Sequence, residues 1–247
     1  MIIINRLNNR ELYKERTFVI SDFDRTITTS NSSTSWSIFN NSNLVDDGFK
    51  IDSKRLYDYY RKIELDQTIS ILDKKRYMNE WTVEEVKLFS KYNINKKRFY
   101  EIIDESNGLV LRKDFVHFCN QLLKLDIRLY IVSGGIQDSI EYSLERNNIS
   151  TNNIVIISNK LKFDRENIVG IDGNIITSCN KDDICLPIGF DEHGLLFGDI
   201  KEDKKMGHNY DTYDIGFMEN NSSFDMTLTG DSSFSDVCKI MIKGYKK

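Results

Sequence analysis

Short apolar runs that each end in a polar or glycine cluster recur along the chain: Thr17 to Ser21, Arg128 to Val132 (RLYIV), Ile154 to Ile157 (IVII) and Gly194 to Phe197 (GLLF). Runs of this kind read as strands buried on both faces, as a parallel sheet requires. Tyr213 to Phe217 and Phe224 to Leu228 follow the pattern more weakly. Between them, DFVHFCNQLLKL (114 to 125) spaces Phe115, Phe118, Leu122 and Leu125 three and four apart, the period of an amphipathic helix, and 136 to 147 and 233 to 243 read likewise. Strand and helix in alternation predict an α/β fold built on a doubly wound parallel sheet.

Two stretches interrupt the alternation. From Ser30 to Leu111 the pattern is charged, aromatic and helical (DSKRLYDYYRKIEL, TVEEVKLFSKY, KKRFYEIIDES), with no buried strand. The expected organisation is a core of residues 1–29 and 112–247 with a helical cap inserted at 30–111, Tyr57, Tyr59 and Tyr60 lying in the cap's interior. The second interruption, 161 to 177, alternates apolar and polar residues around Gly170 and Gly173, which predicts a small β-hairpin extension.

At 247 residues and 40% hydrophobic, the chain can bury a substantial core, so disorder is not expected. Its net charge of −4, with both signs mixed along the chain, gives no electrostatic reason to expect a nucleic acid polymer as partner. The N-terminus is too briefly apolar for a signal peptide and no later run approaches a membrane span, so a cytoplasmic protein without a membrane partner is expected. Cys119, Cys179, Cys185 and Cys238 lack metal-ligand spacing and read as inert thiols.

The candidate chemistry falls at the predicted strand ends, where open parallel sheets bind ligands. Asp22 and Asp24 follow the first strand, Ser133-Gly134-Gly135 the second, and Gly198-Asp199 the fourth, with Asp203 four residues on. Carboxylates brought to one point repel one another, and a cation is the natural compensation. Magnesium fits, since it takes few carboxylates and completes its shell with water and phosphate oxygens. The Ser133-Gly-Gly turn would bring amides to an anion, helped by the helix after it, and Lys181 could add positive charge. Two residues on in an extended chain the side chain returns to the same side, so Asp22 and Asp24 can reach one phosphate.

These residues resemble the motifs of the haloacid dehalogenase-like (HAD) phosphohydrolases: Asp22-Phe-Asp24-Arg-Thr26 is similar to the first, Ser133 heads the second, Lys181 supplies the third and GDIKED (198 to 203) is similar to the acidic fourth. A helical cap between the first two motifs matches one cap class of that superfamily. The resemblance implies a Mg²⁺-dependent phosphomonoesterase acting on a small phosphate ester. Asp22 would be nucleophile and Asp24 acid and base. Thr26, Ser133, Gly134 and Lys181 would hold the phosphoryl oxygens. The metal would lie on the Asp22 carboxylate, the Asp24 carbonyl and Asp199, with Asp203 as ligand or support.

A closer likeness, carried by YDYYRKIELDQTIS, RYMNEW, IVSGGIQDSIE and FDMTLTGDSSFSDVCKIMI, is to the cytosolic pyrimidine 5′-nucleotidases. It implies a nucleoside 5′-monophosphatase in which Glu80 meets the base and Trp81 lines its pocket; Trp36 and Phe39 are further candidates for an aromatic wall. The chain departs from that family at Ile200, Glu202 and Gly134, where serine, glycine and alanine are usual. A phosphoserine-phosphatase-like or sugar phosphatase is the alternative, although the glutamate that the former carry shortly after the first motif is missing. A silent phosphate-binding protein is a second alternative, favoured only by the altered fourth motif.

Overall fold

The computed structural model describes residues 2–4, 15–106, 108–217, 223–228 and 232–241. Its sheet is ordered β1-β8-β7-β6-β2-β3-β4-β5, with β1 Ile2–Ile4, β2 Phe18–Ser21, β3 Arg128–Ile136, β4 Ile154–Asp164, β5 Asn167–Asp172, β6 His193–Gly198, β7 Asp211–Gly216 and β8 Met226–Leu228. Pairing is parallel from β8 through to β4 and antiparallel at the two margins, β1 on β8 and β5 on β4. This is the predicted α/β architecture. Helices α5 (Phe115–Lys124), α6 (Gln137–Arg146) and α7 (Phe234–Met241) bury their apolar stripes: Phe115, Phe118, Leu122, Ile140, Leu144, Phe234 and Val237 share one cluster with Val19, Ile131, Leu195 and Ile215 of the strands.

Residues 38–106 carry four helices: α1 Ile38–Asn41, α2 Asp47–Leu65, α3 Ile71–Lys91 and α4 Lys96–Ser106. Asp46 and Ser70 cap α2 and α3 by accepting from Gly48 N and Asp73 N. The two passages joining this helical insert to the sheet run side by side: Thr29 N donates to Val110 O at 2.9 Å and Ser33 N to Gly108 O at 2.9 Å. The apolar cluster of the insert (Phe39, Phe49, Phe89, Phe99, Ile102) also takes in Ile136, Leu161 and Ile168 from β3, β4 and β5. Of the three tyrosines expected inside, only Tyr60 is buried; Tyr57 and Tyr59 are 51% and 58% exposed, Tyr57 meeting the Trp81 ring edge-on and Tyr59 that of Tyr60.

Three elements differ from the sequence expectation. Ser133-Gly134-Gly135 is not a turn but the end of β3, which continues to Ile136 past an irregularity where its register on β4 shifts. β4 runs on to Asp164 as one arm of the hairpin, whose bend is at Arg165 (φ 55°) and Glu166, with Gly173 (φ 81°) just beyond its second arm. β8 begins only at Met226. No helix among the described residues is long and apolar enough to cross a membrane, and all four cysteines are free.

Candidate active site

The central strands set the site by register. Ser21 pairs with Ile131 on one side and Phe197 on the other, so Asp22 follows beside Val132 and Gly198, one step before Ser133 and Asp199. Asp22 N continues the ladder by donating to Phe197 O at 3.0 Å. Phe23 turns into the core, fully buried, which leaves Asp22 and Asp24 to the opposite side. Arg25 is held at φ 63°, an uncommon conformation for a residue with a Cβ. Its amide donates to Thr28 Oγ1 at 2.7 Å. Arg112, itself 1% exposed, grips the same loop from behind, donating to the carbonyls of Arg25 (2.8 Å), Thr26 (2.9 Å) and Thr28 (3.3 Å) while lying over the Phe217 ring.

Lys181 closes the cluster. It lies on a 3-10 turn, Lys181–Asp183, and its Nζ donates to Asp22 Oδ1 at 2.6 Å and Asp203 Oδ1 at 2.8 Å, all three side chains being buried. Carboxylate oxygens of Asp22, Asp199 and Asp203 lie within 4.8 Å of one another, a spacing that suits a cation. The second oxygen of Asp203 accepts from the amides of Asp199 (3.0 Å) and Ile200 (3.1 Å), so both its oxygens are engaged. Position 200 therefore serves through its backbone. Ile200 and Glu202 both expose their side chains, and the altered fourth motif keeps its geometry. Gly198 is required here: a Cβ would stand 2.5 Å from Asp203 Cβ.

Charge and burial set the electrostatics. Burial pushes Asp22 up to about 7, with the Lys181 charge opposing it and Asp203 adding to it. Asp199 is pushed to about 8 by burial and by the charges of Asp22 and Asp203. Burial also raises Asp24, against hydrogen bonds from Ser35. For Lys181 burial works against the charge, and the Asp203 and Asp22 carboxylates outweigh it, so its pKa rises. Metal-free, the site has an affinity for protons that a cation would satisfy instead.

Ser133 Oγ accepts from Gly135 N at 3.0 Å, and Gly134 O accepts from Trp36 Nε1 and Asn159 Nδ2, each at 2.9 Å. A Cβ on Gly134 would meet nothing closer than 3.5 Å, so the alanine usual at this position would fit. Thr26 is fully buried, and its Oγ1 makes no hydrogen bond among the described residues.

On the helical insert, α3 lays Met78, Trp81, Glu85 and Phe89 along one face. Met78 packs in one cluster with Cys179, two residues before Lys181, and Phe89 stacks on Trp36. The face therefore roofs the ground between Lys181 and Gly134. Glu80 is exposed and faces the Tyr60 hydroxyl, which burial first and then this carboxylate push up to about 12. Trp81 stacks on Tyr60 and donates to Glu85 at 3.1 Å, and burial holds Glu85 up to about 7 against that bond and one from Ser53. Glu85 and Asn159 carried no motif. The spacing 78, 81, 85, 89 was the one available signal for Glu85.

A family model described as pyrimidine 5′-nucleotidase (UMPH-1) matches residues 19–241. Among curated proteins, the 7-methylguanosine phosphate-specific 5′-nucleotidase A of Xenopus laevis is 29% identical over 92% of this chain and 87% of its own length. The Drosophila melanogaster protein of the same description is 25% identical over 94% and 81%. Among solved structures, cytosolic 5′-nucleotidase IIIB bound to cytidine superposes with a TM-score of 0.75 at 24% identity, covering 93% of this chain and 87% of that one. A phospho-aspartyl intermediate analogue of phosphoserine phosphatase gives 0.61 at 15% identity over 92% and 99%, a likeness of fold.

Proposed function

Because the chain belongs to the pyrimidine 5′-nucleotidase family, its reaction is hydrolysis of a phosphomonoester, and we propose that it works on nucleoside 5′-monophosphates through an aspartyl-phosphate on Asp22 with Mg²⁺ as cofactor. The observation that carries the reading is the convergence of Asp22, Asp199 and Asp203 on one point with Lys181 bonded between two of them. Asp22 and Asp199 keep carboxylate oxygens open for a metal, while the saturation of Asp203 supports a role in fixing the Asp199 backbone. Bound there, Mg²⁺ would supply positive charge to the transferring phosphoryl group.

The chain's own residues divide the rest. Asp22 attacks phosphorus, which splits one difficult displacement into two. Asp24 protonates the leaving oxygen and later deprotonates the water. Lys181 steadies the nucleophile and the developing charge, and the end of β3 at Ser133 and Gly134 faces the phosphoryl oxygens. The roof of α3 takes the nucleoside. The rings of Trp81 and of Tyr60 from α2, with the carboxyl of Glu85, suit a base that carries positive charge, as the 7-methylguanine of a nucleotide does, through stacking and ion pairing. The exposed Glu80 then has the lesser part. A cytoplasmic setting fits a nucleotide substrate and free thiols.

Phosphate release from CMP, UMP, GMP, 7-methyl-GMP, phosphoserine and sugar phosphates, with and without Mg²⁺, tests this. Asp22→Asn is expected to lower turnover by at least ~10³-fold with the fold intact. Glu85→Gln is expected to raise KM most for the charged base. Turnover that survives Asp22→Asn, or a preference for phosphoserine, refutes the reading.

A further inference from the structure

We infer that Ser35, on the passage leading from β2 into the helical insert, is a positioning residue for Asp24, holding that carboxyl in the plane its proton transfers require. The inference rests on the aspartyl-phosphate reading above and adds a residue that belongs to none of the four motifs.

Ser35 is fully buried. Its amide donates to Asp24 Oδ1 and its hydroxyl to Asp24 Oδ2, both at 2.9 Å. Two donors from one residue engage both oxygens, which fixes the carboxyl rotation that a single bond would leave free. The hydroxyl is itself oriented, since the Ile136 amide donates to Ser35 Oγ at 3.1 Å and so directs the hydroxyl proton to Asp24. The next residue ties the passage down, Trp36 Nε1 donating to Gly134 O at 2.9 Å.

Gly135 makes the room. A Cβ there would stand 2.2 Å from Ser35 Oγ and 3.2 Å from Asp24 Oδ2. The second glycine of the Ser-Gly-Gly stretch is thus explained by the serine it admits, and its backbone needs no left-handed conformation.

The chemistry gives this geometry its use. In the first step an Asp22 oxygen bonds to phosphorus while the ester P–O bond breaks, and the leaving oxygen takes the proton of Asp24. In the second, a water oxygen bonds to phosphorus, Asp24 takes the water's proton, and the acyl-phosphate P–O bond breaks to return Asp22 and inorganic phosphate. Donor and acceptor positions coincide only if the Asp24 carboxyl does not rotate between steps. A ribose alkoxide is too basic to leave without the proton, whereas p-nitrophenolate leaves readily without it. Loss of Ser35 must therefore be felt in proportion to leaving-group basicity, a signature that a merely structural serine does not give.

The experiment measures kcat/KM for CMP, phenyl phosphate and p-nitrophenyl phosphate with saturating Mg²⁺ in wild type, Ser35→Ala, Ser35→Thr and Gly135→Ala, with melting temperatures in parallel. General acid–base catalysis contributes ~10²–10⁴-fold, so loss of its orientation is expected to cost Ser35→Ala ~10–10²-fold on CMP, with the deficit shrinking through phenyl to p-nitrophenyl phosphate. Gly135→Ala, which displaces the hydroxyl sterically, should steepen the series in the same direction, and Ser35→Thr should recover the wild-type slope. Equal losses on all three substrates, or a gain on CMP, overturn the inference. Turnover surviving Asp22→Asn would sink the covalent reading instead, so the two failures are told apart.

Discussion

Lys181→Met removes the cation from a buried charge cluster. Lys181, Asp22 and Asp203 are 5%, 5% and 1% exposed, and the ammonium lies 2.6 Å and 2.8 Å from the two carboxylates. Breaking a buried pair by deleting one partner costs ~3–5 kcal/mol, because the remaining charge is left without compensation. At ~2–4 °C per kcal/mol for a chain of this size, the melting temperature should fall by ~6–20 °C. The loss has a pH signature. Asp22 and Asp199 are held up to about 7 and about 8 in the folded protein against 3.8 for a free carboxyl. Below those values the native state keeps protons that the unfolded chain has released, so stability declines as pH rises from about 4 through the folded pKa values. Without Lys181 this decline deepens. Melts from pH 5.5 to 8.5 in EDTA should show the variant's deficit largest at pH 8.5 and reduced at pH 5.5, where protons replace the missing ammonium. Mg²⁺ should narrow the gap at high pH. A variant that melts within two degrees of wild type at pH 8.5 in EDTA, or whose deficit grows on acidification, refutes the account.

Two further substitutions probe the supports of the site. Gly198→Ala places a methyl 2.5 Å from Asp203 Cβ and should displace that side chain from the amides of Asp199 and Ile200. A stability loss of ~1–3 kcal/mol is expected together with a higher Mg²⁺ concentration for half-maximal activity, and an unshifted magnesium titration would count against it. Arg112→Met leaves the carbonyls of Arg25, Thr26 and Thr28 without a buried donor, at ~1–3 kcal/mol for each group that finds no substitute. Urea denaturation should show the loss, and kcat should fall more than KM rises because the loop carrying Asp24 is no longer clamped.

The sheet was legible because its central strands carry short apolar runs that each end in a polar or glycine cluster, and the acids Asp22 and Asp199 stand directly after two of those strands. The features that escaped share a cause. Ser35 lies in a polar run with no periodicity, and its partner Asp24 is set by the path of a loop. Arg112 belongs to no motif and stands beside Lys113 in the sequence, and only tertiary burial turns such a surface residue type into a clamp. Glu80 drew attention through its neighbour in a dipeptide, whereas helical geometry turns Glu85 inward. The Ser-Gly-Gly stretch read as a turn from glycine content alone, yet side-chain bonds from Asn159 and Trp36 to Gly134 O hold it as strand.

The hairpin of β4 and β5 grows from the sheet but is fastened to the helices. Ser90 Oγ donates to Ile168 O, Lys96 N donates to Glu166 O at 2.7 Å, and Leu161 and Ile168 are buried in the apolar cluster of the insert. The helical insert is thus joined to the rest of the molecule by its two chain passages and by a third, non-covalent attachment through the hairpin. Chimaeras that exchange substrate preference between relatives by swapping residues 30–111 alone would cut through this apolar cluster. A transplant that keeps its packing has to carry the hairpin of the same parent with it, so the unit of recombination in this protein is discontinuous in sequence.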